Sequence, residues 1–201
     1  MERQQGGKFM TKQKKIKTQD LVLLGVLTAI IFVLQFFARS ISIGVFSITL
    51  VSVPIIVGAC LIGSYAGAWL GFVFGLVVIL SGDAQAFWVI NIPGTIITVM
   101  LKGIACGYLA GLTYNIFKKR SRYLSVSVSA IVCAVVNTGV FLLGCFVFFF
   151  DTVKLWADGA NTFYYMIISL VGLNFVIELL INIVLTPVIV RIIDISKRLF
   201  K

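Results

Sequence analysis

The sequence predicts an all-α membrane protein, a bundle of six transmembrane helices with both termini in the cytoplasm. Hydrophobic residues make up 60% of the 201-residue chain, and the mean hydropathy is +1.10. The apolar runs are long enough to cross about 30 Å of hydrocarbon, which takes roughly 20 helical residues. They lack the alternation of barrel strands, and helices satisfy their own backbone hydrogen bonds in lipid.

Six apolar segments predict the spans, and a basic tail precedes them. The tail, residues 1–18, is expected to be flexible, and residues 19–201 to form a single transmembrane domain. The spans are predicted at residues 19–38, 47–63, 65–81, 93–117, 122–149 and 163–190. The first is predicted to be a transmembrane helix rather than a signal peptide, because its run is long and no small-residue cleavage site follows at "FFARS". Pro187 predicts a kink near the end of the sixth span.

Basic residues predict the orientation of the bundle. Of the 17 Lys and Arg residues, 14 lie in the N-terminal tail, in the "KKRSR" loop after span four, or near the C-terminus. With six spans these three regions share one side of the membrane, which the positive-inside rule assigns to the cytoplasm. Topology therefore explains the net charge of +10, and no nucleic-acid partner is expected.

Several functional classes lack the residues that they need. The chain has no histidine, and its four cysteines fall in predicted spans without metal-ligand spacing, as expected of small core residues. It contains no P-loop sequence, no serine-nucleophile motif of the G-x-S-x-G type and no TVGYG-type filter. The sequence therefore predicts no enzyme, no metal site and no cofactor.

Span four carries a polar face inside an apolar run. Thr95, Thr98 and Lys102 are spaced i, i+3 and i+7, so they share one side of the helix. Polar groups at membrane depth are costly, and each is a functional candidate. Asn91 would either cap this helix or face a ligand, and Trp88 would either cover a pocket or join an interfacial aromatic belt. Two further candidates are Gln35 in span one and Asn137 in span five.

Span six carries a second polar stripe. Asn174, Glu178 and Asn182 are spaced i, i+4 and i+8. Two stripes, one with a cation and one with an anion, predict a shared polar interior. One interpretation is a buried Lys102–Glu178 ion pair without any ligand. The other is that Lys102 receives an anionic group of a ligand from outside, while amide and hydroxyl groups bind its polar atoms.

Small residues recur every four positions on three spans and predict close helix packing. They are Gly67, Gly71 and Gly75 in span three, Gly103, Gly107 and Gly111 in span four, and Gly25 and Ala29 in span one. Such faces pack inside the bundle, or one of them docks another membrane protein.

The chain resembles the substrate-binding S components of energy-coupling-factor (ECF) vitamin transporters over nearly its whole length. Gly25 and Ala29 match the family's pair of small residues four apart on the first helix, with glycine in place of the more usual alanine. The segments "GTIITVMLKGIACGYLAGLTY", "SAIVCAVVNTGVFLLGC" and "VGLNFVIELLINIV" are similar to the pantothenate-specific branch. Ala134 stands where that branch usually has proline.

The resemblance implies a subunit that binds a vitamin and has no catalytic activity. It would take the vitamin from outside, under the first, third and fifth loops. It would dock through Gly25 and Ala29 on a transmembrane coupling protein and tilt in the bilayer, driven by two separate ATPases. This arrangement explains the missing P-loop.

Pantothenate is a small anion with hydroxyls and an amide, which the polar stripes match. Lys102 is predicted to pair with its carboxylate, and Glu178 to orient Lys102 or accept from a hydroxyl. The remaining predicted contacts are Thr95, Thr98, Asn91, Asn137, Asn174, Trp88 and Gln35. The alternatives are another vitamin (riboflavin, folate, nicotinate or pyridoxine), a structural or assembly protein with a buried Lys–Glu pair, and a small secondary transporter acting alone. Few aromatics on the interior stripes argue against the stacked rings of a flavin or folate.

Overall fold

The structure is a computed structural model that describes residues 17–39, 42–43, 46–47 and 50–199. Its helices are α1 (Thr18–Arg39), α2 (Ser52–Leu61), α3 (Ser64–Ser81), α4 (Gln85–Trp88), α5 (Ile92–Phe117), α6 (Arg122–Phe148), α7 (Phe150–Trp156), α8 (Thr162–Tyr164) and α9 (Gly172–Leu199). A π-helical segment, Tyr165–Leu170, precedes α9. Strands β1 (Ser42–Ile43) and β2 (Phe46–Ser47) form a short antiparallel pair. Residues 1–16 of the predicted tail lie outside the described residues.

Five segments of the described chain are long and apolar enough to cross a membrane. They are residues 18–38, 64–81, 92–117, 122–148 and 162–196. Large apolar side chains are exposed on the helices of all five, as expected where a helix faces lipid. The predicted all-α membrane class is confirmed, while the number of spans and the side of the termini stay predictions.

Helix α2 is much shorter than the predicted second span. It has ten residues, so it rises about 15 Å, half of the hydrocarbon thickness. Most of its side chains are buried within the bundle. The helix covers ten of the seventeen residues predicted for the second span, because apolar composition does not distinguish contact with other helices from contact with lipid.

Helices α3 and α5 pack backbone against backbone. A Cβ added at Gly71 would overlap the carbonyl group of Gly103, and one added at Gly67 would overlap the carbonyl group of Gly107. The glycine faces of spans three and four thus serve internal packing. By contrast, an added Cβ at Gly25 on α1 would meet no described atom within 4 Å.

The buried apolar side chains form two clusters. The main core joins α1, α2, α3, α5, α6 and α9 through residues such as Ile31, Leu70 and Ile189. The second cluster joins α4, the end of α6, α7 and the π-helical segment around Phe87, Phe141 and Phe149. All four cysteines are buried, as the prediction of small core residues required.

Helices α6 and α9 are connected at one end of the bundle by an ion pair between Arg122 and Asp194. Helix α9 continues through Pro187, which has no N–H to donate to the preceding turn. The irregular turn of the last predicted span lies elsewhere, in the π-helical segment ahead of α9.

Candidate functional site

A cavity lies where the main core and the second cluster meet. Its wall comes from the end of α3, from α4, from one face of α5 and from the α6–α7 region. The lining residues are Val78, Asp83, Ala84, Phe87, Thr95, Thr98, Val99, Lys102, Phe141 and Phe149. The cavity volume, counted as the positions that the centre of a water molecule can take, is about 20 Å³. The empty space between the lining atoms is about 360 Å³ when the opening to solvent is included. The cavity itself holds about one water molecule.

The predicted polar face of span four forms one wall of the cavity. Thr95, Thr98 and Lys102 all line it. The Thr95 hydroxyl donates to the backbone carbonyl of Asn91 at 2.8 Å. The Thr98 hydroxyl is buried and has no hydrogen-bond partner among the described residues. An unsatisfied buried hydroxyl costs about 1–3 kcal/mol, so this atom favours a partner within the cavity.

The close approach of α6 holds Thr98 in this position. A Cβ added at Gly144 would overlap the side chain of Thr98. Glycine at position 144 therefore leaves room for the threonine between the two helices, where its hydroxyl contributes to the cavity wall.

Lys102 reaches the cavity between two aromatic faces. Its Nζ lies 5.6 Å from the ring centroid of Phe74 and 5.4 Å from that of Phe141. Both distances allow cation–π attraction. Among the described residues, no carboxylate oxygen lies within 4 Å of this ammonium group. The structure therefore shows no direct Lys102–Glu178 ion pair, which was the alternative prediction. Glu178 is directed instead to Asn137, whose Nδ2 donates to its Oε2 at 3.3 Å.

The turn after α3 brings Asp83 to the same cavity. Gly82 has a φ of 74°, which a residue with a side chain rarely adopts, and it ends the helix. The amide of Asp83 then donates to the carbonyl of Val78 at 3.2 Å. Its Oδ2 accepts a hydrogen bond from Nε2 of the fully buried Gln35 at 3.1 Å. The predicted residue Gln35 thus reaches the site through Asp83.

The polar stripe of the last span lies beside the cavity rather than in its wall. Glu178, Asn174 and Asn137 are not among the lining residues. Asn182 accepts a hydrogen bond from the Ser52 hydroxyl at 2.9 Å, so α9 is joined to α2 by a buried polar contact. The periodicity of a single helix predicts a shared face, but it does not predict the neighbour that this face meets.

Two other predicted site residues, Asn91 and Trp88, do not line the cavity. Oδ1 of Asn91 accepts from the amide of Gly94 at 3.0 Å, which is the capping alternative. Trp88 ends α4 and does not line the cavity, whereas its neighbour Phe87 does. On α1, Gly25 and Ala29 are exposed, and neither of them lines the cavity.

The residues that the prediction missed are mostly aromatic. Phe87 is buried and meets the rings of Phe141, Phe149 and Trp156 edge-on, with centroids 5.4, 5.0 and 5.6 Å away. We call these four residues the aromatic cluster. Three phenylalanines therefore line the cavity, although few aromatics were expected on the interior polar stripes. Phe87 lies in α4, which was predicted as a loop, whereas Phe141 and Phe149 lie within the predicted fifth span, where no polar spacing marked them as part of a site.

Comparison with known proteins identifies the family of the chain. The family model "ECF transporter, substrate-specific component" matches residues 19–190. The "Pantothenic acid transporter PanT" of Lactococcus lactis subsp. cremoris (strain MG1363) is 27% identical over 194 residues, covering 88% of this chain and 94% of the relative. Because this family model matches most of the helical bundle, the chain belongs to the substrate-specific components of ECF transporters.

Proposed function

We propose that this chain binds pantothenate from outside the cell and delivers it to the cytoplasm. The pairing of Lys102 with the ligand carboxylate is the central contact. Delivery depends on a separate coupling protein and separate ATPases. The family match supports the transport role, and the name of the Lactococcus relative supports the vitamin.

The observation that carries the proposal is the environment of Lys102. A cation at membrane depth is costly unless it has a compensating partner. Among the described residues its close contacts are the two phenylalanine faces, and no carboxylate lies within 4 Å. Asp83 lines the same cavity but makes no ion pair with the ammonium group within 4 Å, so a monoanionic ligand supplies a direct partner, and the Thr98 hydroxyl supplies a neutral hydrogen-bonding group beside it.

Pantothenate is larger than the space that the cavity offers. About 20 Å³ of room for water centres holds a single water molecule, so the walls must separate before the vitamin binds. The aromatic cluster is the part that moves in this proposal, because Phe87 and Trp156 sit on helices of four and seven residues. Ring–ring contacts of about 0.5–1.5 kcal/mol each hold it closed.

A second candidate ligand is nicotinate. It also carries one carboxylate, and it is smaller. The three phenylalanines that line the cavity favour a ring more than the sequence suggested. The name of the relative and the polar groups along α5 favour pantothenate, so nicotinate is the alternative.

A thermal-shift series on the purified chain tests the ligand. Pantothenate at about 100 times its Kd is expected to stabilise the fold by about 2.7 kcal/mol and raise Tm. Pantothenol, which replaces the carboxylate by an alcohol, is the matched control and is expected to give almost no shift. Nicotinate and nicotinamide form a parallel pair. Equal shifts from pantothenate and pantothenol, or no response to any vitamin, would contradict the proposal.

The exposed face of α1 is the proposed docking surface for the coupling protein. Gly25 and Ala29 lie on it, and an added Cβ at Gly25 meets no described atom within 4 Å. The neighbouring side chains Val22, Val26 and Val33 are exposed and apolar. Small residues four apart let a partner helix approach closely in lipid.

Ala29→Trp is expected to leave ligand affinity unchanged and to abolish uptake, because the indole would separate α1 from its partner. The matched control is Val184→Trp, which adds bulk at an exposed position on α9. Radiolabelled pantothenate uptake in cells that carry an ECF module, compared with binding by the purified variants, separates the two effects. Full uptake by Ala29→Trp would remove α1 as the docking surface.

A further inference from the structure

The ammonium group of Lys102 meets ring faces rather than carboxylates at close range. Its Nζ lies 5.6 Å from the ring centroid of Phe74 and 5.4 Å from that of Phe141. Among the described residues, Asp83 and, less strongly, Glu178 attract the ammonium group, but both carboxylates lie more than 4 Å away. The two rings are therefore the close contacts that stabilise its charge in the part of the chain that the structure describes.

The two rings differ in their relation to the cavity. Phe141 lines it and meets the ring of Phe87 edge-on, with centroids 5.4 Å apart. Phe74 is buried in the main core and is not among the lining residues. A ligand in this cavity would therefore touch Phe141 directly, whereas Phe74 would act on the ligand through Lys102.

Close packing of α3 on α5 places Phe74 beside Lys102. Phe74 lies on α3 between Gly71 and Gly75. A Cβ added at Gly71 would overlap the backbone of Gly103, and one added at Gly75 would lie 3.0 Å from a carbonyl oxygen of α5. Because these glycines let the two backbones approach closely, the ring of Phe74 can face the lysine side chain of the neighbouring helix.

We infer that Phe74 is a positioning residue for the carboxylate of the ligand. Its ring face attracts the ammonium group of Lys102 and holds it at the cavity wall. Unlike a carboxylate partner, a ring face carries no full negative charge that would compete with the ligand. The N–H donors of Lys102 thus stay available to the incoming anion. This inference rests on the proposed function, because it uses the contact between Lys102 and the ligand.

Fluorination of the Phe74 ring separates its electrostatic role from its packing. Fluorine withdraws negative charge from the ring face and weakens the cation–π attraction, while the shape of the ring stays nearly the same. Mono-, di- and trifluorophenylalanine, placed at position 74 by nonsense suppression, form a graded series. The pantothenate affinity of the purified proteins, measured by calorimetry, is expected to fall stepwise along the series, by about fivefold to thirtyfold in total.

The same series in a Lys102→Met background identifies the group through which Phe74 acts. Methionine offers no charge to the ring, so fluorination is expected to leave pantothenate affinity unchanged in this background. Phe32 is the matched control, since it packs against the same core and does not line the cavity. Trifluorophenylalanine at position 32 is expected to have no effect. Affinity that is independent of fluorination at position 74, or that falls equally in Lys102→Met, overturns the inference.

A conventional substitution covers the case in which the fluorinated proteins are not produced. Phe74→Leu removes the ring face and keeps an apolar side chain. It is expected to weaken pantothenate binding about fivefold to thirtyfold and to leave pantothenol binding unchanged, whereas Phe32→Leu changes neither. Equal weakening of both ligands by Phe74→Leu overturns the inference while leaving the pantothenate assignment standing. A parent that binds no pantothenate in the thermal-shift series overturns both.

Discussion

Lys102→Met is expected to reduce pantothenate affinity by about 30-fold to several thousandfold, because removing one partner of a buried charged contact costs about 2–5 kcal/mol. Methionine has a similar length and stays between Phe74 and Phe141, so the loss reflects charge rather than packing. Calorimetry on the purified variant measures the change. Pantothenol binding, which needs no cation, is expected to be the same in the parent and the variant.

The matched control is Lys154→Met, which removes a cation from the exposed surface of α7. It is expected to leave both ligands unaffected. If Lys102→Met binds pantothenate as tightly as the parent, the carboxylate does not meet this side chain. If it weakens pantothenol and pantothenate equally, the variant has damaged the cavity rather than removed a charge contact.

Gly71→Ala is expected to destabilise the bundle by about 1–3 kcal/mol or more, the range for an extra methyl group in a closely packed interior. The methyl group would overlap backbone atoms of Gly103, which no change of rotamer can relieve. Helices α3 and α5 would have to separate, and with them Asp83 and Lys102. The thermal midpoint in a fixed detergent and the Kd of the folded protein are the measurements.

Gly139→Ala on α6 makes the same chemical change where an added Cβ meets no described atom within 4 Å. It is expected to be neutral or to stabilise by up to about 1 kcal/mol, since alanine is the better helix former. A Gly71→Ala protein as stable as Gly139→Ala, with unchanged affinity, would show that the two helices need no backbone contact at this level.

Helical periodicity predicted those parts of the site that lie on one long helix. Thr95, Thr98 and Lys102 share a face because of their spacing, and all three line the cavity. The glycine faces of spans three and four were predicted for the same reason, and they pack on each other. Features that depend on the spacing of residues along one helix could therefore be predicted from the sequence alone.

Features that depend on contacts between distant segments could not be read from periodicity. Glu178 shares a stripe with Asn174 and Asn182, yet the rotation of α9 turns it to Asn137 and not to Lys102. Asp83 reaches the cavity through a glycine turn, and Phe87 through a helix of four residues. The length of α2 was overestimated because burial in protein and burial in lipid select the same apolar residues.

The backbone contact between α3 and α5 has a consequence for the kinetics of exchange. Two helices in contact at Gly67–Gly107 and Gly71–Gly103 are expected to move together, so the cavity residues on α3 and α5 keep their spacing in the empty protein. Little ordering entropy is then lost on capture. If the vitamin binds in this cavity, its residence time is expected to follow the movement of the short helices α4 and α7 as well as the strength of its polar contacts.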